Sequence, residues 1–433
     1  MKKVLFITYY WPPSGGAGVQ RSLKFVKYLP EFGYSPVVLT VNPEKASYPV
    51  LDKTLASEIS ANTPVHTTGS FEPLRLLSVF TKKENIPYGG FANQNKEKWT
   101  QRMLRFIRGN FFIPDARVGW VNHAVRKASH LIRTEEISHL VVSSPPHSSQ
   151  LIGLRLKKKF PKLKWLADLR DPWTDIYYYG DLLHTNAAKK LDRRYERQVL
   201  ENCDAAMVVS RDIKELFVSK SDKIIPSKIH VIPNGFDESD FRMQDGPPQD
   251  VFRITYVGTM AGSYDPEIFF SALDSFRKKF KQIPFTLRFV GSSSAAVSNL
   301  IHRFQLQDLC EFIPHVAHEE AIRYMKSSTA LLLVIPAVER ANGILTGKLF
   351  EYIGAKRPVI AVGPAGGEAA AILNECNAGK MFNRKDTVAL ENYLEELCRQ
   401  WESNPKFEIQ SAGTTKYSRR AQADALSKIL SSS

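Results

Sequence analysis

Short apolar runs, each leading through a loop toward a helical stripe, recur along this chain and restrict its fold more than any other feature. Val4-Leu-Phe-Ile-Thr8 opens the pattern as a buried strand. Pro12-Pro-Ser-Gly-Gly-Ala-Gly-Val-Gln-Arg21 follows as a glycine-rich loop, and Leu23, Val26 and Leu29 then carry a stripe at helical spacing. Further strands are predicted at 36–41, 139–144, 163–168 and 205–210, and from Ile229 into a turn at Asp237. A helix is predicted over 148–159, and Leu191, Tyr195 and Val199 mark another. A second series starts after about residue 250, with strands at 252–258, 285–291 and 331–335 and a helix over 266–281. Strands alternating with helices make parallel sheets, and two such series in 433 residues make two domains. The fold expected is therefore α/β, with two Rossmann-like parallel-sheet lobes and a cleft between them. The expected boundaries are 1–234 and 235–412. A last segment, 413–433, is expected to form a helix crossing back to the N-terminal lobe, with Ala421, Ala425 and Ile429 on one face and Ser418 as its cap.

The stretch Gly343-Ile-Leu-Thr-Gly-Lys-Leu-Phe-Glu-Tyr-Ile-Gly354 reads as a glycine-bearing turn entering two helical turns, before a strand from Pro358 to Ala361. Leu349, Tyr352 and Ile353 bury one helix face, while Lys348 and Glu351 are neighbours near its start. Free N–H groups at a helix N-terminus, an ammonium beside them and a carboxylate one turn on suit a nucleoside diphosphate. An ordinary surface Lys–Glu pair fits the same spacing.

Composition removes several classes. No apolar run approaches the roughly 20 residues that span a bilayer. The apolar opening is brief, ends at Pro12-Pro13 and has no small-residue cleavage site, so it does not read as a secretory signal. Cys203, Cys310, Cys376 and Cys398 form no C-x-x-C pair, which argues against a disulfide framework or a zinc site and for a reducing cytosol. His315 and His318 have no third ligand nearby. Charge is unevenly placed: residues 1–234 hold 36 Lys and Arg against 21 Asp and Glu, whereas residues 235–433 hold 23 of each. The whole +15 excess thus belongs to the N-terminal half, which suits an anionic partner such as a membrane surface, a lipid-linked phosphate or nucleic acid, or a basic face in water. On a helix over 96–108, Trp99, Met103, Phe106 and Ile107 share a stripe flanked by Lys98, Arg102 and Arg105. That is the composition of an interfacial helix, and equally of one packed on its domain. No aromatic strand platform or reading helix for nucleic acid is visible.

Other candidate groups follow strand ends, where open α/β sheets place their ligands. The glycine loop around Gly15 and Gly16 lets backbone approach a diphosphate or sugar, and also suits a tight turn. It lacks the G-x-G-x-x-G spacing, and no acidic residue follows a second strand at the ribose distance, which disfavours a dinucleotide cofactor. Asp168-Leu-Arg-Asp-Pro-Trp-Thr-Asp175 sets carboxylates and Arg170 past a strand, for catalysis or as a brace. Asp171 is the first choice to orient or deprotonate a hydroxyl, with Asp168 next; Arg170, Trp173 and the loop residue His147 are placed on the acceptor side. Residues 43–95 are expected to form an irregular excursion.

Four segments together carry a resemblance: the Gly15-Gly16 loop, Cys203-Asp-Ala-Ala-Met-Val-Val-Ser210, Ile232-Pro-Asn-Gly-Phe-Asp237 and Lys348-Leu-Phe-Glu-Tyr-Ile-Gly-Ala-Lys-Arg-Pro358. In this order, over nearly the whole chain, they resemble the retaining glycosyltransferases of family 4, with the two-lobed GT-B fold. Tyr256-Val-Gly-Thr-Met-Ala-Gly-Ser-Tyr-Asp-Pro266 is similar to the branch that builds bacterial surface polysaccharides. The resemblance implies a nucleotide-sugar donor, no cofactor or metal, and retained anomeric configuration. It implies that Glu351 binds ribose and that Lys348 stabilises the leaving diphosphate. The amides of Gly343, Ile344, Leu345 and Thr346 would lie under the phosphates, Thr259 beside them, and Gly15 and Gly16 would reach them from the other lobe. The chain departs from the family pattern at three places. Gly343 stands where the first glutamate of the pair belongs, eight residues before Glu351. No arginine or lysine follows the strand ending at Gly258, leaving Arg340 or Lys356 to supply charge. Arg170 stands where relatives often carry histidine.

The function expected is transfer of a hexose or acetamido-sugar to a lipid-linked saccharide in envelope or capsular polysaccharide assembly. The protein would act in the cytoplasm, docked on the inner membrane face through its basic half. A nucleotide-sugar epimerase of the same fold and a non-catalytic scaffold are the rival readings.

Overall fold

The computed structural model describes residues 1–72, 99–242 and 246–432. The chain divides into two compact units, Met1–Pro233 with Arg419–Ser433, and Asn234–Ser418.

In the first unit the strands are β1 (Lys2–Ile7), β2 (Tyr34–Val41), β3 (Val65–Thr68), β4 (His139–Ser144), β5 (Lys164–Leu169), β6 (Ala205–Val208) and β7 (Ile229–Val231). They form one parallel sheet in the order β3-β2-β1-β4-β5-β6-β7. The helices are α1 (Ala17–Tyr28), α2 (Trp99–Phe111), α3 (Val121–Thr134), α4 (Ser148–Lys159), α5 (Asn186–Asn202) and α6 (Arg211–Val218). A sheet covered on both faces needs strands that are apolar throughout, which is why the central runs read as continuous rather than alternating. Leu5, Ile7, Leu140, Val142, Trp165 and Ala167 pack into one core with α3 and α4. Val4, Phe6, Val141 and Leu166 face the other, with Leu23 and Val26 of α1.

In the second unit β8 (Phe252–Val257), β9 (Phe285–Val290), β10 (Cys310–Ile313), β11 (Ala330–Val334), β12 (Val359–Val362) and β13 (Gly379–Phe382) form a parallel sheet in the order β10-β9-β8-β11-β12-β13. Around it lie α7 (Glu267–Lys279), α8 (Ala295–Arg303), α9 (His318–Lys326), α10 (Gly347–Ala355), α11 (Glu368–Glu375) and α12 (Thr387–Ser403). Ile254, Tyr256, Leu332 and Ile360 point to the α7 and α12 side. Leu331, Leu333, Val359 and Ala361 point to the α10 side, against Leu349, Tyr352 and Ile353. Strand order reverses between β1 and β4 in the first sheet and between β8 and β11 in the second. The loops leaving those strands are where such sheets receive ligands.

Three expectations are corrected. Residues 43–95 are not wholly irregular: β3 pairs with β2, Val38 opposite Val65 to Val41 opposite Thr68. The rest of that excursion, from residue 73, lies outside the described residues, as do Lys96 and Lys98 of the predicted basic helix. Residues 413–418 stay with the second unit, because Phe236 pairs with Ser418 and Tyr417 packs on Phe350 at a ring distance of 5.5 Å. The C-terminal helix begins at Arg419 and belongs to the first unit. Its buried stripe is Ala423, Leu426, Ile429 and Leu430, with the predicted Ala425 partly buried against it, while Ala421 is not part of that core.

Candidate active site

In the second unit α10 starts with Thr346 at its N-cap, and no side chain satisfies the first amides. Helix N-termini leave such N–H groups open to an anion. The Thr346 hydroxyl is itself buried without a partner. Gly343 closes a short 3-10 turn, Ala341–Gly343, that delivers the chain to the cap. Ile344 is half-buried and Leu345 is buried in the core, so only their backbone is offered to a ligand.

The Lys348 side chain runs from the first turn of α10 to the end of β8. Its Nζ donates to the Tyr256 hydroxyl and lies 3.4 Å from the Thr259 carbonyl. The ammonium sits 4.3 Å from the Tyr256 ring centre and 5.7 Å from that of Tyr264. Tyr256 donates its own proton to the Thr259 carbonyl at 2.8 Å, leaving its oxygen free to accept from lysine. Burial pulls the Lys348 pKa down to about 7, against an opposing pull from Glu351. Gly258 is what lets the side chain pass: it has φ of 106°, and a Cβ there would meet Lys348 Cε at 2.6 Å.

Glu351 has His318 as its neighbour, with Nδ1 at 3.8 Å, and His318 Nε2 lies 3.3 Å from Asp240. Sequence reading missed His318 in this role because it weighed the histidine only as a metal ligand. Of the two cations suggested to replace the absent basic residues, Lys356 is at the wrong end: it caps the C-terminus of α10. Eight residues of rise put its backbone about 12 Å from that of Lys348. Arg340 is exposed and precedes the 3-10 turn in the left-handed region, at φ 60°. A cation not anticipated, Arg384, follows β13. It donates to the Ile335 carbonyl at 2.7 Å and lies 3.5 Å from Asp265, joining the loops that leave β11 and β8. Its signal was a strand too short and polar to recognise.

In the first unit the glycine loop is differently occupied than expected. The Gly15 amide donates to the Val50 carbonyl at 2.9 Å, and a Cβ at Gly15 would stand 3.1 Å from Val50 and Asp52 side-chain atoms. Gly15 is therefore a packing position whose N–H is taken, which removes it from the predicted phosphate contacts. Gly16, at φ 90°, starts α1 and keeps the open-amide geometry.

Asp168 is also corrected. It lies inside β5 at 1% exposure, accepts from Arg21 Nε at 3.0 and 3.3 Å, and accepts from the Ser143 hydroxyl at 2.9 Å. Arg21 reaches on to the Pro233 carbonyl at 2.9 Å. This carboxylate braces strands and cannot meet a substrate. Arg170 likewise holds loops, donating to the carbonyls of Ser144 (2.9 Å), Gly18 (3.1 Å) and Pro145 (3.4 Å). Trp173 is buried, with φ of 33°, and its indole N–H donates to Asp192 at 2.8 Å. It does not line the acceptor side; it backs His147, with ring centres 4.8 Å apart and planes 11° off parallel. Burial lowers the His147 pKa to about 4, keeping the ring neutral, and its Nδ1 is buried without a partner.

Asp171 is the contrasting group. It is half-buried, and no hydrogen bond reaches its carboxylate among the described residues. Burial raises its pKa, with Arg170 opposing and Asp168 adding. Tyr177 and Tyr178 stand close enough for the Asp171 charge to raise their own pKa values. A carboxylate of raised basicity at a strand's C-terminal edge can accept a proton or a hydrogen bond from a hydroxyl.

Two parallel sheets of this topology, each within its own compact unit, belong to the GT-B class of fold. Residues 87–240 match the family model described as Glycosyltransferase Family 4. Among curated proteins none matches the chain. Solved structures that resemble it include Anabaena HepE in complex with UDP-glucose, 13% identical with TM-score 0.60 over 100% of both chains. Another is the lipopolysaccharide outer core galactosyltransferase WaaB, 12% identical with TM-score 0.58 over 99% of each chain. Sucrose-phosphate synthase from Thermosynechococcus elongatus is 16% identical, with TM-score 0.55, over 98% of this chain and 95% of that one.

Proposed function

We propose that the protein is a glycosyltransferase that moves a hexosyl or acetamidohexosyl group from a nucleotide sugar to a lipid-linked saccharide. The observation that carries this reading is Lys348, drawn across Gly258 to the end of β8 beside the open N-terminus of α10. Breaking the anomeric C–O bond develops charge on the departing diphosphate. The α10 amides, the Thr346 hydroxyl and the Lys348 ammonium stabilise it without a metal. Glu351 accepts from ribose hydroxyls. The acceptor oxygen forms the new C–O bond on the face the diphosphate leaves, so configuration is retained, and the hydroxyl's proton passes to Asp171. UDP-glucose in HepE and the galactosyltransferase WaaB support a nucleotide-sugar donor. In a panel of UDP-, GDP- and dTDP-sugars, the purified protein is expected to bind and slowly hydrolyse one class. No binding across the panel removes the proposal.

Helix α2 supports the membrane part of the reading. Trp99, Met103 and Phe106 are exposed at i, i+4 and i+7, Trp99 by 74%, with Arg102 and Arg105 beside them. No described helix is long and apolar enough to cross a membrane, whereas this one has the make-up to lie in the interface of an anionic leaflet. Sedimentation with phosphatidylglycerol vesicles is expected to carry the wild type down. The double variant Trp99→Ala/Phe106→Ala should bind about tenfold less, and phosphatidylcholine vesicles should not bind either protein. Equal binding of variant and wild type would remove α2 from the interface.

A further inference from the structure

We propose that the inner face of α2, with Arg108, forms an anion site that recognises a phosphate on the acceptor; this rests on the glycosyltransferase reading above. Nine residues of helix separate Trp99 from Arg108, about 180° of turn, so the arginine faces the body of the unit while the apolar stripe faces out. The direction is fixed by its neighbours. A Cβ on Gly109 would stand 2.2 Å from the Leu182 carbonyl oxygen, and Asn110 both donates to the Leu183 carbonyl (3.1 Å) and accepts from the Thr185 amide (2.7 Å). Helix α2 is therefore docked on the 182–185 loop through the residues next to Arg108.

Among the described residues no carboxylate pairs with Arg108 and no hydrogen bond reaches it. Burial and the like charge of Arg117 lower its pKa, while Asp115, Tyr10 and Tyr178 partly offset them. Asp115 is already occupied, accepting from the Ser148 amide and hydroxyl at 2.8 Å each and from the Arg117 amide at 2.9 Å. Arg117 Nε and His147 Nδ1 are buried without partners in the same neighbourhood. The Arg117 Nε–H, buried without an acceptor, carries a desolvation cost, and an oxyanion bound beside it removes it. Tyr10 and Tyr178 add aromatic surface suited to a sugar ring beside that anion. A phosphate ester fits better than a neutral glycoside because a guanidinium binds its oxygens in pairs. The phosphate can belong to the lipid carrier or to the saccharide, and the site reads the chemistry they share.

The test is titration calorimetry with hexyl phosphate, glucose 6-phosphate and hexyl glucoside, on Lys348→Ala protein so that the donor site does not contribute. Hexyl phosphate or glucose 6-phosphate is expected to bind, the better of the two telling which side carries the anion, and hexyl glucoside is not. Arg108→Met, which keeps the aliphatic stem, should weaken that binding at least tenfold. On the wild type, phenylglyoxal should modify Arg108 and the better ligand should protect it, while Arg170, held by three carbonyls, stays unreactive; this readout needs no folded variant. Binding that is unchanged in Arg108→Met, absent from all three probes, or without protection at Arg108 overturns the site. Donor hydrolysis, in which Arg108 has no part, separately reports whether the glycosyltransferase reading stands.

Discussion

Replacing Lys348 by alanine is expected to lower glycosyl transfer about 10²–10³-fold, the loss usual when one preorganised charge stabiliser is removed, without unfolding the protein. The pH dependence distinguishes this from a merely structural lysine. The folded pKa is about 7, pulled down from the usual 10.5 by burial. Between those values the unfolded chain binds a proton that the folded chain does not. This position therefore adds stability as pH rises through the window and withdraws it as pH falls toward 7. A diphosphate bound at the α10 N-terminus reverses the preference, since its charge favours the ammonium. Nucleoside diphosphate binding should then take up close to one proton at pH 8.5, and affinity should fall about tenfold per pH unit above 7. Calorimetry in buffers of different ionisation enthalpy reads the proton directly. A pH-independent affinity that Lys348→Ala leaves unchanged would separate this lysine from the phosphates.

Why some of this was legible in the sequence and some not follows from what each residue faces. Val4–Ile7, Leu331–Val334 and Val359–Val362 are central strands covered on both faces, so their apolar runs announce them. The strands that escaped notice, Val65–Thr68, Cys310–Ile313 and Gly379–Phe382, lie at sheet edges and are partly exposed. Their mixed composition reads as loop. Lys348 was legible because a helix start and its lysine are local. The Tyr256 hydroxyl that holds it is 92 residues away, and the Arg21 that closes around Asp168 is 147 away. Nothing in residues 164–175 distinguishes a buried brace from a free base. Only the fold tells Asp168, bonded to Arg21 and Ser143, from Asp171, whose carboxylate no hydrogen bond reaches among the described residues. The Gly15 amide shows the same limit, since its acceptor comes from a segment that looked unstructured.

That distinction sets up the second large effect. Asp168→Ala should cost about 3–5 kcal/mol of stability, the usual result of leaving one member of a buried ion pair unpaired. The Arg21 side chain is fully buried, and its NH2 group already lacks a partner, so it cannot recruit water to replace the carboxylate. Denaturant titration should show the midpoint falling sharply. Removing both members, as Arg21→Met with Asp168→Leu, should restore part of the loss, because two apolar side chains leave no buried charge. Asp171→Asn should do the opposite. Its carboxylate holds nothing in place, so stability should change by less than about 1 kcal/mol, while transfer falls about 10²–10⁴-fold as a proton acceptor is lost. Donor hydrolysis to water, which needs no acceptor hydroxyl, should fall less than transfer does. An active Asp171→Asn protein, or an Asp168→Ala protein as stable as the wild type, would exchange the roles of the two carboxylates and return catalysis to the strand end.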